Sequence, residues 1–225
     1  MRRLAILLLV LLVVPAIALA ADTDPKRKIN PADERKAASI VFKKADFTAG
    51  WKKTTSPNDD DDDLKCAYYD PNGSDLTLTG DAEAEFERNA GLASLYSYAD
   101  VYATAKDAAA SWTRTVKPAA VRCFAELFQR EVVKDPSTKV TVQKQGSIAF
   151  PKIAPRTAAF RIALKLSLTQ NGQTTTVPLT LHLVVVGRGR AEAGFLTFAP
   201  SPGVGIADLR AFAKLMAGRM KVAGF

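Results

Sequence analysis

The fold of this chain is restricted above all by Asn171-Gly172, which stands between two runs of alternating apolar and polar residues. This dipeptide favours the two-residue turn of a β-hairpin, because both positions of that turn need positive φ. A turn of this length pairs Gln170 with Gln173 and thereby fixes the register of the two strands. Counting outward from the turn places Arg161 opposite His182 on the polar face of the hairpin.

The same count places Leu164 opposite Leu179 on the apolar face and Pro178 opposite Lys165. Pro178 then occupies a position where its missing N–H costs no bond to Lys165. The run Gly187-Arg188-Gly189-Arg190 predicts a second turn, after which Val186 pairs with Ala191 in the next strand.

Residue patterns elsewhere predict further strands and helices. Period-two alternation favours strands over residues 76–87 and 93–102, and period-3.6 spacing favours helices over 32–44, 107–133 and the last 20 residues, with a break at Pro118. Strands joined by tight turns form antiparallel sheets. We therefore predict an α+β fold, with an antiparallel sheet of about six strands packed by three or four helices in one domain over residues 30–225.

The N-terminus has the three-part pattern of a secretory signal peptide over residues 1–20. Arg2 and Arg3 precede an apolar run, and the small residues Ala18 and Ala20 stand before the expected cleavage point. The alternative is a retained membrane anchor, since residues 4–21 are about the shortest stretch able to cross a bilayer. Either way the rest of the chain is predicted to be exported, as a secreted, periplasmic or cell-envelope protein, with residues 21–29 as a flexible linker.

Export gives the two cysteines an oxidising context. An even cysteine count in an exported protein favours a structural disulfide, here between Cys66 and Cys123. The alternative is a redox-active pair, but such pairs usually lie close together in sequence.

The formal net charge of +8 falls to +6 without the signal peptide, because Arg2 and Arg3 are lost with it. A basic exported protein favours anionic surfaces such as cell-wall polymers or lipid head groups, while export makes nucleic acid an improbable partner. Membrane contact is expected only through an uncleaved signal peptide. As candidate ligand-binding residues we select Arg156, Arg161 and Lys165.

Two features suggest a metal or catalytic site, and for both we favour a simpler explanation. The acidic run Asp59 to Asp63 lacks the ligand spacing and the turn glycine of a calcium loop, so we predict a solvated surface loop. His182 is the only histidine, and a cation opposite it disfavours its protonation, so we predict a neutral, structural side chain. We predict no catalytic residues, no metal site and no cofactor.

Several features together resemble a bacterial sensor-type family. They are Trp51, Cys66-Ala67-Tyr68 after the acidic run, a strand with Thr79-Gly80, an Ala-rich helix reaching Cys123, and a basic amphipathic C-terminal helix. The family comprises the extracellular sensor domains of membrane-bound Ser/Thr kinases and related exported proteins of the PsbP-like fold. The resemblance implies an antiparallel sheet packed by helices, a cleft, and ligand sensing rather than catalysis.

These observations lead to three functional hypotheses. The first is a non-enzymatic, sensor-like binding domain of the cell envelope, with an anionic or lipid ligand. The second is a carrier that holds an apolar lipid between sheet and helix. The third, less favoured, is a secreted hydrolase, for which His182 is the only imidazole base and which lacks a Gly-x-Ser-x-Gly elbow.

Overall fold

The computed structural model describes residues 24–54, 66–89, 91–132 and 137–225. The predicted signal peptide and the acidic run Asp59 to Asp63 lie outside these residues. The described chain has an α+β fold, in which four α-helices pack on the two faces of one eight-stranded sheet.

The sheet order is β1-β3-β4-β8-β7-β6-β5, and β2 pairs with β3 beside this path. The strands are β1 (Lys26–Arg27), β2 (Lys52–Thr54), β3 (Thr77–Arg88), β4 (Ala93–Tyr102), β5 (Thr138–Ser147), β6 (Arg156–Gln170), β7 (Gln173–Arg188) and β8 (Ala191–Pro200). The six long strands, β3 to β8, are antiparallel throughout.

The prediction of an all-antiparallel sheet of about six strands needs correction, because the sheet has eight strands and is mixed. Strand β1 runs parallel to β3, and β2 runs antiparallel to it. Strand β1 has two residues, too few to show an alternating pattern, so it gave no sequence signal. The N–H groups of Lys26 and Lys28 donate to the carbonyls of Leu76 and Leu78 at 2.9 and 2.8 Å, which fixes part of the predicted linker against β3.

The β6–β7 hairpin has the predicted register. Asn171 and Gly172 both adopt positive φ, 51° and 74°, as the two-residue turn requires. Arg161 lies opposite His182, and Lys165 lies opposite Pro178.

The predicted β7–β8 register was wrong by two residues. Arg188, not Val186, pairs with Ala191, so the turn consists of Gly189 and Arg190 alone. Gly189 takes a φ of +53°, which glycine adopts without strain. A shift of two residues leaves every side chain on its predicted face, so the apolar pattern alone did not distinguish the two registers.

Four helices complete the fold: α1 (Pro31–Ile40), α2 (Ala105–Thr115), α3 (Pro118–Val132) and α4 (Ile206–Val222). Asn30 caps α1 by accepting a hydrogen bond from the N–H of Asp33. Pro118 begins α3, which confirms the predicted break in the long helical stretch.

Each sheet face has its own apolar core. Helices α1 and α4 cover one face, where Ile40, Phe42, Phe195 and Met216 are almost fully buried. Helices α2 and α3 lie on the other face, where α3 packs mainly over β5 and α2 packs over β4 and β8. The two faces therefore differ in which strands they leave open.

An ion pair joins α1 to the β7–β8 turn. The guanidinium of Arg190 donates to Asp33 at 2.9 and 3.1 Å and to the Tyr102 carbonyl at 2.7 Å. Hydrogen bonds from Arg190 lower the pKa of Asp33 to about 2.

The predicted disulfide between Cys66 and Cys123 is confirmed, with a Cα–Cα distance of 5.7 Å. It joins the segment before β3 to helix α3 and is buried with Leu127. Tyr69 adds a hydrogen bond from its hydroxyl to the carbonyl of Thr115 at 3.2 Å.

Removal of this bridge is expected to destabilise the fold. It closes a separation of 57 residues, for which chain entropy predicts a loss of about 4 kcal/mol. We expect the double variant Cys66→Ala/Cys123→Ala to show this drop in the free energy of unfolding in urea. Wild-type protein under reducing conditions serves as the control and should show a similar drop. A change below about 1 kcal/mol in both would contradict the entropic role.

Candidate functional site

The three predicted ligand-binding residues do not converge on one site. All three lie on β6, but Arg161 and Lys165 project from the face covered by α1 and α4, whereas Arg156 projects from the opposite face. Alternation along the strand separates them. Arg156 is an even number of residues from buried Phe160 and shares its face, whereas Arg161 and Lys165 are an odd number of residues from Phe160 and face the other way.

Arg161 and Lys165 are instead joined by two lysines of β5. Thr141 pairs with Lys165 and, after a β-bulge that follows Val142, Lys144 pairs with Ala163. Lys139 and Lys144 therefore lie on the same side of the sheet as Arg161. All four cationic side chains are exposed. We call the surface formed by Lys139, Lys144, Arg161 and Lys165 the basic face.

The basic face lies within a stretch of chain that carries no acidic residue. Between Asp135 and Glu192 the sequence has eight lysines and arginines and neither aspartate nor glutamate. Among the described residues, none of the salt bridges includes a residue of the basic face. No carboxylate of the described residues therefore cancels its positive potential through an ion pair.

Helix α4 limits the basic face on one side. It packs on β7 and β8 and leaves β5 and the central part of β6 open to solvent. The helix also carries exposed Arg210 and Lys214 on this side of the sheet. The result is a broad, open cationic surface bordered by a cationic helix.

Sequence reasoning missed Lys139 and Lys144, although a signal existed for Lys139. Lys139 alternates with Val140 and Val142, which face the core under α3, whereas Lys144 reaches the opposite face only because of the β-bulge between Val142 and Lys144. The acid-free run from residue 136 to 191 was equally visible. What the sequence did not reveal was that β5 would pair with β6.

His182 lies opposite Arg161 but beneath the surface, at 6% exposure. Burial, and then the nearby Arg161 charge, lower the pKa of His182, as predicted from the pairing. Its Nδ1 atom has no hydrogen-bond partner within the described part of the chain.

Arg156 occupies a different and more buried environment. Its guanidinium lies against the backbone of Gly187, where any Cβ would collide with Nε, and 5.8 Å from the ring centre of Trp112. It donates to the carbonyl of Ala191 at 3.2 Å. Burial lowers the pKa of Arg156, and the charge of Glu192 opposes this effect.

Glu192 is buried at 3% exposure, on the same sheet face as Arg156. Burial, followed by the charge of neighbouring Asp100, raises the pKa of Glu192 to about 8, with Arg156 acting in the opposite direction. Its Oε2 atom has no hydrogen-bond partner among the residues that the structure describes.

The raised pKa predicts that stability falls as pH increases. A carboxyl whose pKa is higher in the folded than in the unfolded chain stabilises the fold at low pH, and this contribution is lost as pH rises towards 8. We expect Glu192→Gln, which stays neutral, to flatten the decline between pH 5 and 9 and to be the more stable form at pH 9. Urea unfolding at pH 5, 7 and 9 measures this.

Glu34→Gln is the matched control, because Glu34 is exposed on α1. It should keep the pH profile of the wild type. Parallel profiles for wild type and Glu192→Gln would show that Glu192 is ionised in the fold.

No known protein-family model matches this chain, and no curated protein matches it in sequence. Within the described residues, no three His, Cys, Asp or Glu side chains are grouped so that they could hold a metal ion. None of the helices in that part of the chain is long and apolar enough to cross a membrane.

Proposed function

We propose that this protein is an exported, non-enzymatic binding domain of the cell envelope, and that it binds a phosphate-bearing anionic ligand on the basic face. The predicted signal peptide and the disulfide support an extracytoplasmic location. A sensor-like role, as the resemblance of the sequence implies, is one use of such a domain.

The observation that carries this proposal is the set of four exposed cations on two adjacent strands, with no acidic partner in the described structure. Arg161 and Lys165 are four residues apart on β6, which places their Cα atoms about 13 Å apart. Lys144 lies between them on the neighbouring strand. This spacing suits a ligand with several negative groups better than a single small anion.

The chemistry of the side chains favours phosphate. The Arg161 guanidinium offers two parallel N–H donors to phosphate oxygens, and the lysines supply point charges around it. Thr141, opposite Lys165, adds a hydroxyl donor on the same face. A flat and open surface fits a polymer chain or an array of lipid head groups.

The non-enzymatic part of the proposal is supported by the surroundings of His182. The imidazole lies below the basic face, its pKa is lowered, and its Nδ1 atom has no hydrogen-bond partner among the described residues. The proposal therefore assigns the face to binding.

Loss of two charges from the basic face is expected to weaken binding strongly. A cation near an anionic surface contributes about 1 kcal/mol, so Arg161→Gln/Lys165→Gln should bind about thirtyfold more weakly at low salt. The measurement is co-sedimentation with vesicles containing phosphatidylglycerol in phosphatidylcholine, run beside equilibrium binding to soluble polyphosphate. Binding to both should weaken as salt increases.

The charge-matched control is Lys106→Gln/Lys117→Gln, which removes two exposed lysines from α2 and the residues before α3, on the other side of the sheet. It should bind like the wild type. Equal loss in both double variants would mean that only net charge matters, and absence of binding to both probes would refute the proposal. Binding to vesicles alone identifies a lipid head group as the ligand, and binding to both probes identifies phosphate in any setting.

A further inference from the structure

A second surface of opposite character lies on the other sheet face, where β3 and β4 meet. Strand β4 places Tyr96, Tyr98 and Asp100 on this face, and β3 places Glu83 directly opposite Tyr98. Glu192 of β8 follows as the partner of Asp100. We call these five residues the tyrosine–carboxylate surface.

The two tyrosines form a stacked pair on this surface. Their ring centres are 6.4 Å apart and their planes differ by 26°. Both side chains are half-buried, and Tyr98 lies over Gly194, where a Cβ would come within 2.9 Å of its hydroxyl oxygen. Only glycine leaves room for the ring in this position, so Tyr98 is held flat against the sheet.

Carboxyl groups stand side by side across three strands on the same face. Asp81 of β3, Asp100 of β4 and Glu192 of β8 are successive cross-strand partners, and we call them the carboxyl row. Like charges in such positions destabilise a sheet. Arg27 neutralises Asp81 through two hydrogen bonds of 2.9 and 3.1 Å, but among the described residues neither Glu83 nor Asp100 has an ion-pair partner.

Glu192 supplies an independent observation on this surface. It is almost fully buried, at 3% exposure, and its Oε2 atom has no hydrogen-bond partner in the described chain. Buried carboxyl oxygens are normally paired, because burying one without a partner is costly. The side chain lies next to Asp100, on the side of the sheet where the tyrosines stand.

We propose that the tyrosine–carboxylate surface binds a compact organic ammonium ion. Tyrosine faces attract such ions through cation–π interactions, and the half-buried Asp100 with exposed Glu83 supplies the opposite charge. An ammonium group beside Asp100 relieves the repulsion within the carboxyl row. The described carboxyls are not arranged to hold a metal ion, which favours an organic cation.

Protonation of the carboxyl row makes binding depend on pH. Burial, with the charges of Asp81 and Glu83, raises the pKa of Asp100 to about 7, so the site gains negative charge as pH rises past 7. Several charged and titratable groups face the carboxyl row. They are Arg27 of β1, Asp81 and Glu83 of β3, Tyr96, Tyr98 and Tyr102 of β4, Arg156 of β6, Glu192 of β8, and Tyr69 in the segment before β3.

The test compares choline with 3,3-dimethylbutan-1-ol, its uncharged isostere, by chemical-shift titration of the full protein. Choline keeps its charge at every pH, so any pH dependence belongs to the protein. We expect choline to bind, the alcohol to bind at least tenfold more weakly, and choline affinity to increase between pH 6 and 8.5. Shifts are expected at Tyr96 and Tyr98 and not on β5.

Two variants keep the proposal falsifiable even if one alters the fold. Glu83→Gln, at an exposed position, should weaken choline binding about two- to fivefold, and Tyr98→Leu should weaken it further. Asp208→Asn, which removes an exposed acid from α4, is the control and should change nothing. Equal affinity for choline and the alcohol, or unchanged affinity in both Glu83→Gln and Tyr98→Leu, would overturn the proposal.

Discussion

The antiparallel pairing of β4 with β8 is the constraint on which the rest of the structure depends. It joins the β3–β4 hairpin to the β5–β8 meander, two segments separated along the chain by α2 and α3. Small residues at the centre of this pairing, such as Ala99 opposite Ala193, let α1 and α4 approach one face. The same register places Asp100 beside Glu192 on the other face. One pairing thus sets both the main core and the carboxyl row.

The uneven distribution of charge along the sequence becomes a spatial separation in the fold. Acidic residues alternate along β3, at one side of the sheet, while β5 and β6, at the opposite side, carry only cations. The strand registers then place the acidic side chains that alternate along β3 and the basic face on opposite faces of the sheet. Charges of one sign that share a strand face reinforce each other's potential. A protein of net charge +8 can therefore present a distinct anionic surface as well as a cationic one.

How much the sequence predicted depended on whether a local signal fixed the pairing. Asn171-Gly172 admitted one turn, and the β6–β7 register followed correctly. Gly187-Arg188-Gly189-Arg190 is compatible with two turn positions that give the same apolar pattern, and the predicted register was the wrong one of the two. Because alternate residues of a strand face opposite sides and Phe160 is buried, the sequence already indicated that Arg156 lies on the other face from Arg161 and Lys165. The three were nevertheless grouped by charge alone. The tyrosines of β4 and the acidic residues of β3 can both be read from the sequence. That they lie side by side follows only from the β3–β4 register, for which the sequence offered no comparable dipeptide signal.

The burial of Glu192 connects stability with function. A glutamine or leucine at this position carries no charge to desolvate, and exchanging buried ionisable groups for apolar ones is often neutral or stabilising. Glutamate there, beside Asp100 and without a partner for Oε2 among the described residues, works against the fold at alkaline pH. Proteins depart from such local rules mainly at functional sites. Stability alone therefore does not explain why these residues form the carboxyl row, in contrast to the residues of the core beneath α1 and α4.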